Sequence, residues 1–350
     1  MPENKLIIVG NGFDLAHGLK TSYKDFLDWY ISTSYSRFLE KRPYSDELIK
    51  FKDSRFEFGV DLPNDSKTTE DVFEHMRQSN KYSLEYNSHF FNELAQGLRK
   101  GIWVDVECFY YKKLKEIFSR SPLGYDKKGA LKKLNNEFDF LIRKLGEYMN
   151  HINETLPSVS SLAVYESCNF NRVFSSYYLK QIKVLNFNYT DTLIAKEYVE
   201  SEDNVIYIHG KASDLADNPV VFGYGDETDS LYQQIEDSGD NEYLAHIKSF
   251  AYFSKSNYAN LISYIDSGYF EVHIVGHSCG LSDRVLLSEI FEHKYCKSIE
   301  IYYHRHPDGS DNFKTITQEI SRHFKSGNKN LMRRRIKPKD PKNYIPQSGE

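Results

Sequence analysis

Five short apolar runs in this chain each end on glycine, asparagine or histidine, and that pattern constrains the fold more than any other feature. Leu6-Ile7-Ile8-Val9 leads into Gly10-Asn11-Gly12, and Val184-Leu185 into Asn186-Phe187-Asn188. Val205-Ile206-Tyr207-Ile208 leads into His209-Gly210, Val272-His273-Ile274-Val275 into Gly276-His277-Ser278, and Ile299-Glu300-Ile301-Tyr302-Tyr303 into His304. Read as strands of one parallel sheet joined by right-handed crossovers, they share a carboxyl edge. Open α/β sheets bind ligands in the crevice outside that edge, so residues far apart in sequence would meet in one site.

The runs are unevenly spaced. One opens the chain, four lie between about residues 182 and 304, and the stretch between reads mostly helical. Ser22 and Asp25 form a capping-box pair ahead of Phe26, Leu27, Trp29 and Tyr30. The polar interval from about Phe51 to Thr69, with Pro63-Asn64-Asp65, reads as a loop. Helical periodicity returns at Val72-Phe73-Met76, at Phe90-Phe91-Leu94, at Val106-Phe109-Tyr110-Leu114 and along Leu131-Leu134-Phe138-Leu141-Ile142-Leu145, until Pro157. The expected architecture is a Rossmann-like, mostly parallel α/β domain built from residues 1–20 and 181–330. A helical insertion spans residues 21–180, and a basic, proline-bearing tail over 331–350 is expected to be disordered.

A formal charge of −5 over 350 residues argues against electrostatically driven nucleic-acid binding. Arg333-Arg334-Arg335 reads as a solvated tail rather than a nucleic-acid contact. Cys108, Cys168, Cys279 and Cys296 are scattered without CxxC pairing, so neither a disulfide framework nor a zinc site is expected. No apolar run approaches the roughly 20 residues that span a bilayer. A soluble cytoplasmic protein without membrane partners is expected.

Each strand end offers chemistry beside a structural alternative. In Gly10-Asn11-Gly12 the glycines let backbone N–H groups approach a phosphate, or simply form a tight turn; the third glycine of GxGxxG is replaced by Leu15. Asp14 is a helix cap or a ribose contact. Asn186 and Asn188 share a face, Phe187 opposes them, and Thr190 or Asp191 reads as a cap for the next helix. His209, beside Gly210, suits proton transfer near neutral pH. Gly276-His277-Ser278-Cys279-Gly280 matches the GxSxG nucleophile elbow, but Gly280-Leu281-Ser282 delays the helix that must follow the serine. A glycine-lined ligand loop with Asp283 at its helix start is favoured. Asp105 and Glu107, after Trp103-Val104, either favour a helix dipole or face the site.

Together these residues resemble the bacteriophage abortive-infection AbiH family. The resemblance rests on Ile7 to Leu19 with Thr21-Ser22-Tyr23, on Trp103 to Glu107, and on Phe187 to Asp191. It continues with Ile208-His209-Gly210, with Gly276-His277-Ser278 and Asp283, and with Ile301-Tyr302-Tyr303-His304. That family is in turn distantly similar to sirtuin-like NAD-binding domains, although Asn11 and Phe13 replace small residues of their loop and the paired CxxC ribbon is absent. The resemblance implies Asn188 at the nicotinamide ribose and His209 as base. It implies a ligand-binding set of Gly10, Asn11, Gly12, Asp14, Gly276, His277, Ser278 and Asp283, and no metal. The implied function is an anti-phage effector that binds NAD and hydrolyses its nicotinamide–ribose bond on infection, with room for a phage-derived trigger and a homo-oligomer. The competing classes are a non-catalytic NAD or nucleotide sensor, a serine hydrolase using Ser278, and a nucleic-acid-acting toxin using the tail.

Overall fold

A computed structural model describes residues 4–53, 66–100, 105–120, 124–158, 162, 168–175 and 181–348. All five apolar runs are strands. In chain order the strands are β1 (Asn4–Val9), β2 (Tyr44–Ser45), β3 (Ile49–Asp53), β4 (Tyr82–Tyr86), β5 (Gln181–Asn186), β6 (Val205–Tyr207), β7 (Phe270–Val275) and β8 (Cys296–Tyr302). The main sheet is wholly parallel, in the order β6-β5-β1-β7-β8. Val9 pairs with both Asn186 and Val275, Asn186 with Tyr207, and Val275 with Tyr302, so the five strands end level. The chain builds outward from β1 on one side and then crosses back to start β7 on the other. This is a Rossmann-like order, and its topological switch point lies between β1 and β7.

Why these runs are continuously apolar follows from burial on both faces. Leu6, Ile8, Leu185, Ile206, Val272, Ile274, Ile299 and Ile301 point into one core, which also holds Leu261, Leu287, Ile290 and Ile320 from the helices Asn257–Asp266, Arg284–Glu292 and Phe313–Arg322. Ile7, Val9, Val184, Val205, Tyr207, Val275 and Tyr302 point into the other, with Phe13, Phe170 and Leu193. Each fully buried aliphatic side chain here contributes about 1.5–3 kcal/mol relative to exposure. That anchors the level strand ends on which the site is built.

The chain forms two compact units: Met1–Thr21, Met149–Asp237 and His246–Glu350 hold the sheet, while Ser22–Tyr148 and Ser238–Ala245 form the second. Within the second unit the Ser22–Asp25 capping box opens the helix Tyr23–Glu40. The antiparallel sheet β2-β3-β4 in this unit is not among the expected elements. Ile49 and Phe51 alternate with Lys50 and Lys52, a period-two pattern at the start of the interval read as a loop; residues 54–65 lie outside the described residues.

The tail departs from expectation. Residues 331–348 are ordered: the helix Lys329–Arg335 leads into a segment whose Lys337 amide donates to Ile299, while Tyr303 and Ile345 exchange amide bonds with Asn343 and Tyr303 carbonyls. The buried Arg335 guanidinium donates to the carbonyls of Phe291 and His293, at the end of the helix Arg284–Glu292, where a cation is favoured. Backbone bonding and carbonyl capping join Leu331, Met332, Ile336, Tyr344 and Ile345, packed on the cores, in holding this segment; the main-chain bonds leave no trace in composition. Among the described residues no helix is long and apolar enough to cross a membrane.

Candidate functional site at the carboxyl edge of the parallel sheet

At the switch point the two glycine loops press against each other. The Gly12 amide donates to the Gly276 carbonyl at 2.8 Å, the Gly10 amide to Val275 at 3.1 Å, and the Phe13 amide to Gly10 at 2.8 Å. A Cβ on Gly10 would lie 2.6 Å from His277 Cα, and one on Gly276, whose φ is +70°, would lie 2.2 Å from the Phe13 nitrogen. Glycine is therefore required at Gly10 and Gly276 by the approach of two backbones. The Gly10, Gly12 and Phe13 amides serve protein carbonyls and pack the two loops together. Asn11 is exposed and its Nδ2 braces the Thr21 carbonyl at 3.1 Å.

On the β5 side of β1 lies a cluster of hydroxyls and amides around one carboxyl. Asn186 Oδ1 accepts the Asn188 amide at 3.0 Å, and Asn188 Nδ2 donates to the Gly10 carbonyl at 3.2 Å, so the paired asparagines brace the turn as their shared face suggested. Thr190 donates its hydroxyl proton to Asp14 Oδ2 at 2.6 Å, and Thr192 donates to Thr190 at 3.0 Å. Neither Thr190 nor Asp191 caps the short helix Thr192–Ala195 through its side chain, contrary to expectation, because Thr190 is turned to Asp14. Burial pushes the Asp14 carboxyl up to about 6, against the lowering effect of bonds from Thr190, Thr192 and Asn188.

A second, ionic cluster surrounds His209, drawing on the ends of β6 and β7. The fully buried Lys248 places Nζ 2.6 Å from Asp283 Oδ1, and His209 Nε2 lies 3.1 Å from the same oxygen. His277 Nε2 stands 3.6 Å from Asp283 Oδ2, while its Nδ1 accepts the Cys279 amide at 3.0 Å. The Tyr252 hydroxyl reaches within 3.5 Å of His209 Nε2, and the His209 ring also bonds to the Phe187 carbonyl. Burial alone would raise Asp283, but Lys248, His209 and His277 hold its carboxyl far below the usual range. Burial, then the Lys248 charge, lowers His209 against the pull of Asp283; burial brings His277 down to about 4.

The expected helix-start role of Asp283 is half right. It occupies the N-cap position of the helix Arg284–Glu292, but its side chain makes no capping bond and turns to Lys248 instead. Ser278 is exposed, the helix begins six residues after it, and the left-handed non-glycine residue of the loop is Cys279, with φ +56°. A nucleophile elbow needs its strain and its helix at the serine itself, so the loop does not build one. The Cys279 thiol is pushed well up by burial and is no thiolate nucleophile.

A family model described as Bacteriophage abortive infection AbiH matches residues 6–304, a span that takes in both glycine loops, Asn188, His209 and Asp283. The chain belongs to the bacteriophage abortive infection AbiH family. No curated protein and no solved structure matches it. Membership carries a role in abortive-infection defence against phage. Of the residues expected in this site, Gly10, Gly12, Asp14, Asn188, His209, Gly276, His277 and Asp283 come together at the edge, and Asn11 and Ser278 are exposed beside them. Asp105 caps the helix Val106–Ser119 by accepting the Cys108 amide at 2.9 Å, the helix-terminus alternative; Trp103 and Val104 lie outside the described residues. Lys248 and Tyr252 were missed, since a five-residue helix between turns carries no periodicity to mark a buried face.

Proposed function

We propose that this AbiH-family protein hydrolyses the nicotinamide–ribose bond of cytoplasmic NAD during phage infection, with His209 as the base. The observation that carries the reading is the position of His209. It stands at the carboxyl edge, its charged form disfavoured by burial, with Nε2 3.1 Å from Asp283 and the ring against the carbonyl of Phe187, the residue before Asn188. Buried histidines tied to a carboxylate at such an edge are suited to accepting a proton. In the reaction a water oxygen forms a bond to ribose C1′ as the bond from C1′ to the pyridinium nitrogen breaks. The bonding pair returns to the ring, which leaves as neutral nicotinamide, and the water proton passes to His209. A leaving group that becomes neutral on departure needs no acid, so one base suffices. Asn188 orients a ribose hydroxyl or the water.

Since the glycine amides are engaged by protein carbonyls, the pyrophosphate is assigned no partner among them. The test incubates purified protein with NAD, with and without lysate of phage-infected cells, and follows free nicotinamide. Release that falls at least 100-fold in His209→Ala and about as far in Asn188→Ala supports the reading. Release unchanged in both variants removes the site, and tight NAD binding without turnover in every condition replaces the hydrolase with a sensor.

A further inference from the structure

Lys248 is a fully buried ammonium that the proposed chemistry does not use, and a charge so placed needs a reason. Its Nζ shares Asp283 Oδ1 with His209 Nε2, at 2.6 and 3.1 Å. The charged and titratable groups facing His209 come from four places: Asp283 on the turn Leu281–Asp283, Lys248 and Tyr252 on the helix Lys248–Tyr252, His277 after β7, and the Tyr189 ring after β5. His323 stands behind them, bonded to the Cys279 carbonyl at 2.8 Å. Both acceptors on the His209 ring, Asp283 and the Phe187 carbonyl, favour an imidazolium. With Lys248 charged and both histidines neutral, the cluster has no net charge; a proton on His209 would leave one uncompensated positive charge in a buried site.

We infer that Lys248 and Asp283 act as a buried ion pair that keeps His209 unprotonated, the pair holding the base in position while the ammonium cancels the carboxylate that would otherwise charge it. Lys248 is thus a positioning residue, and only its link to NAD turnover rests on the function proposed above. The proton state of His209 does not depend on that function and is measurable without it.

The experiment follows the His209 ring signal of the full chain by NMR across pH, alongside the pH profile of kcat/KM for NAD. In Lys248→Met the midpoint of His209 and the acid limb of the profile both move up by about one pH unit or more, because a neighbouring cation is removed and the carboxylate remains. Lys248→Arg, which keeps the charge, returns both towards the parent. Asp283→Asn moves the midpoint down. A His209 midpoint unchanged in folded Lys248→Met overturns the inference; if that variant does not fold, a midpoint that stays or rises in Asp283→Asn overturns it instead. A shifted midpoint in a protein that never releases nicotinamide supports the ion pair and removes the hydrolase.

Discussion

Asp14 and Asp283 belong to two clusters at the carboxyl edge of one sheet, both almost fully buried, and they meet opposite electrostatic fates. Around Asp14 stand only hydroxyls and an amide, which offset burial in part, and its carboxyl rises to about 6. Around Asp283 stand Lys248, His209 and His277, which overcome burial and hold it ionised. Depth is therefore a poor guide to charge at this edge; the neighbours decide. One side is a nearly neutral hydrogen-bonded brace for β1 and β5, the other an ion cluster around the proposed base.

The largest effect should come from emptying the ionic side. Asp283→Ala leaves a buried ammonium without its carboxylate, a loss of about 3–5 kcal/mol. Asp14→Ala at pH 5 removes a hydrogen-bonded, largely neutral carboxyl and should cost about 1–3 kcal/mol. Chemical denaturation of both variants at pH 5 measures the gap. Equal costs would break the comparison, and near-parent stability of Lys248→Met/Asp283→Leu would sharpen it.

Next in size is a contrast in pH dependence. Asp14 ionises at about 3.8 when unfolded and about 6 when folded, so its contribution is present below 3.8 and is lost as pH rises through 6. His277 runs the other way: with an unfolded value of 6.5 and a folded one of about 4, its contribution is present above 6.5 and is lost as pH falls towards 4. Asp14→Asn should remove only the first slope, on the order of 2–3 kcal/mol across the window. Its stability relative to the parent then rises between pH 4 and 7, and a flat difference would show that Asp14 is ionised throughout.

The edge was legible where backbone geometry exposes chemistry. Strands that lead into Asn188 and His209 announce themselves because a buried strand must stop at a turn, and the parallel order then brings the strand ends level. The glycines were legible as a close approach but not as to what approaches: Gly10 faces His277, a fact of tertiary packing. Lys248 could not be read, since a lysine opening a short helix is ordinarily solvated and its ion pair with Asp283 is made by the fold. The tail misled for a related reason, Arg335 being held by main-chain carbonyls that have no side-chain signature.

Gly10 joins the two clusters: its carbonyl takes the Asn188 amide from one side and its Cα abuts His277 on the other. Gly10→Ala forces a methyl to within 2.6 Å of His277 Cα, and the backbone must shift. The cost should be about 1–3 kcal/mol, and the shift should disturb His209 titration and Asp14 titration together in one NMR series. A change confined to one cluster would mean that the clusters are independent despite sharing this residue.

The smallest effect is expected at Ser278, and its smallness discriminates. It lies within the same loop as His277 and Cys279 but is exposed, and the loop's backbone strain falls on its neighbour. Ser278→Ala should change stability by less than about 0.5 kcal/mol and leave nicotinamide release unaltered, while His277→Ala in the same loop alters both. A loss of hydrolysis in Ser278→Ala matching that in His209→Ala would transfer the chemistry from the ionic cluster to the loop and end the assignment of His209 as the base.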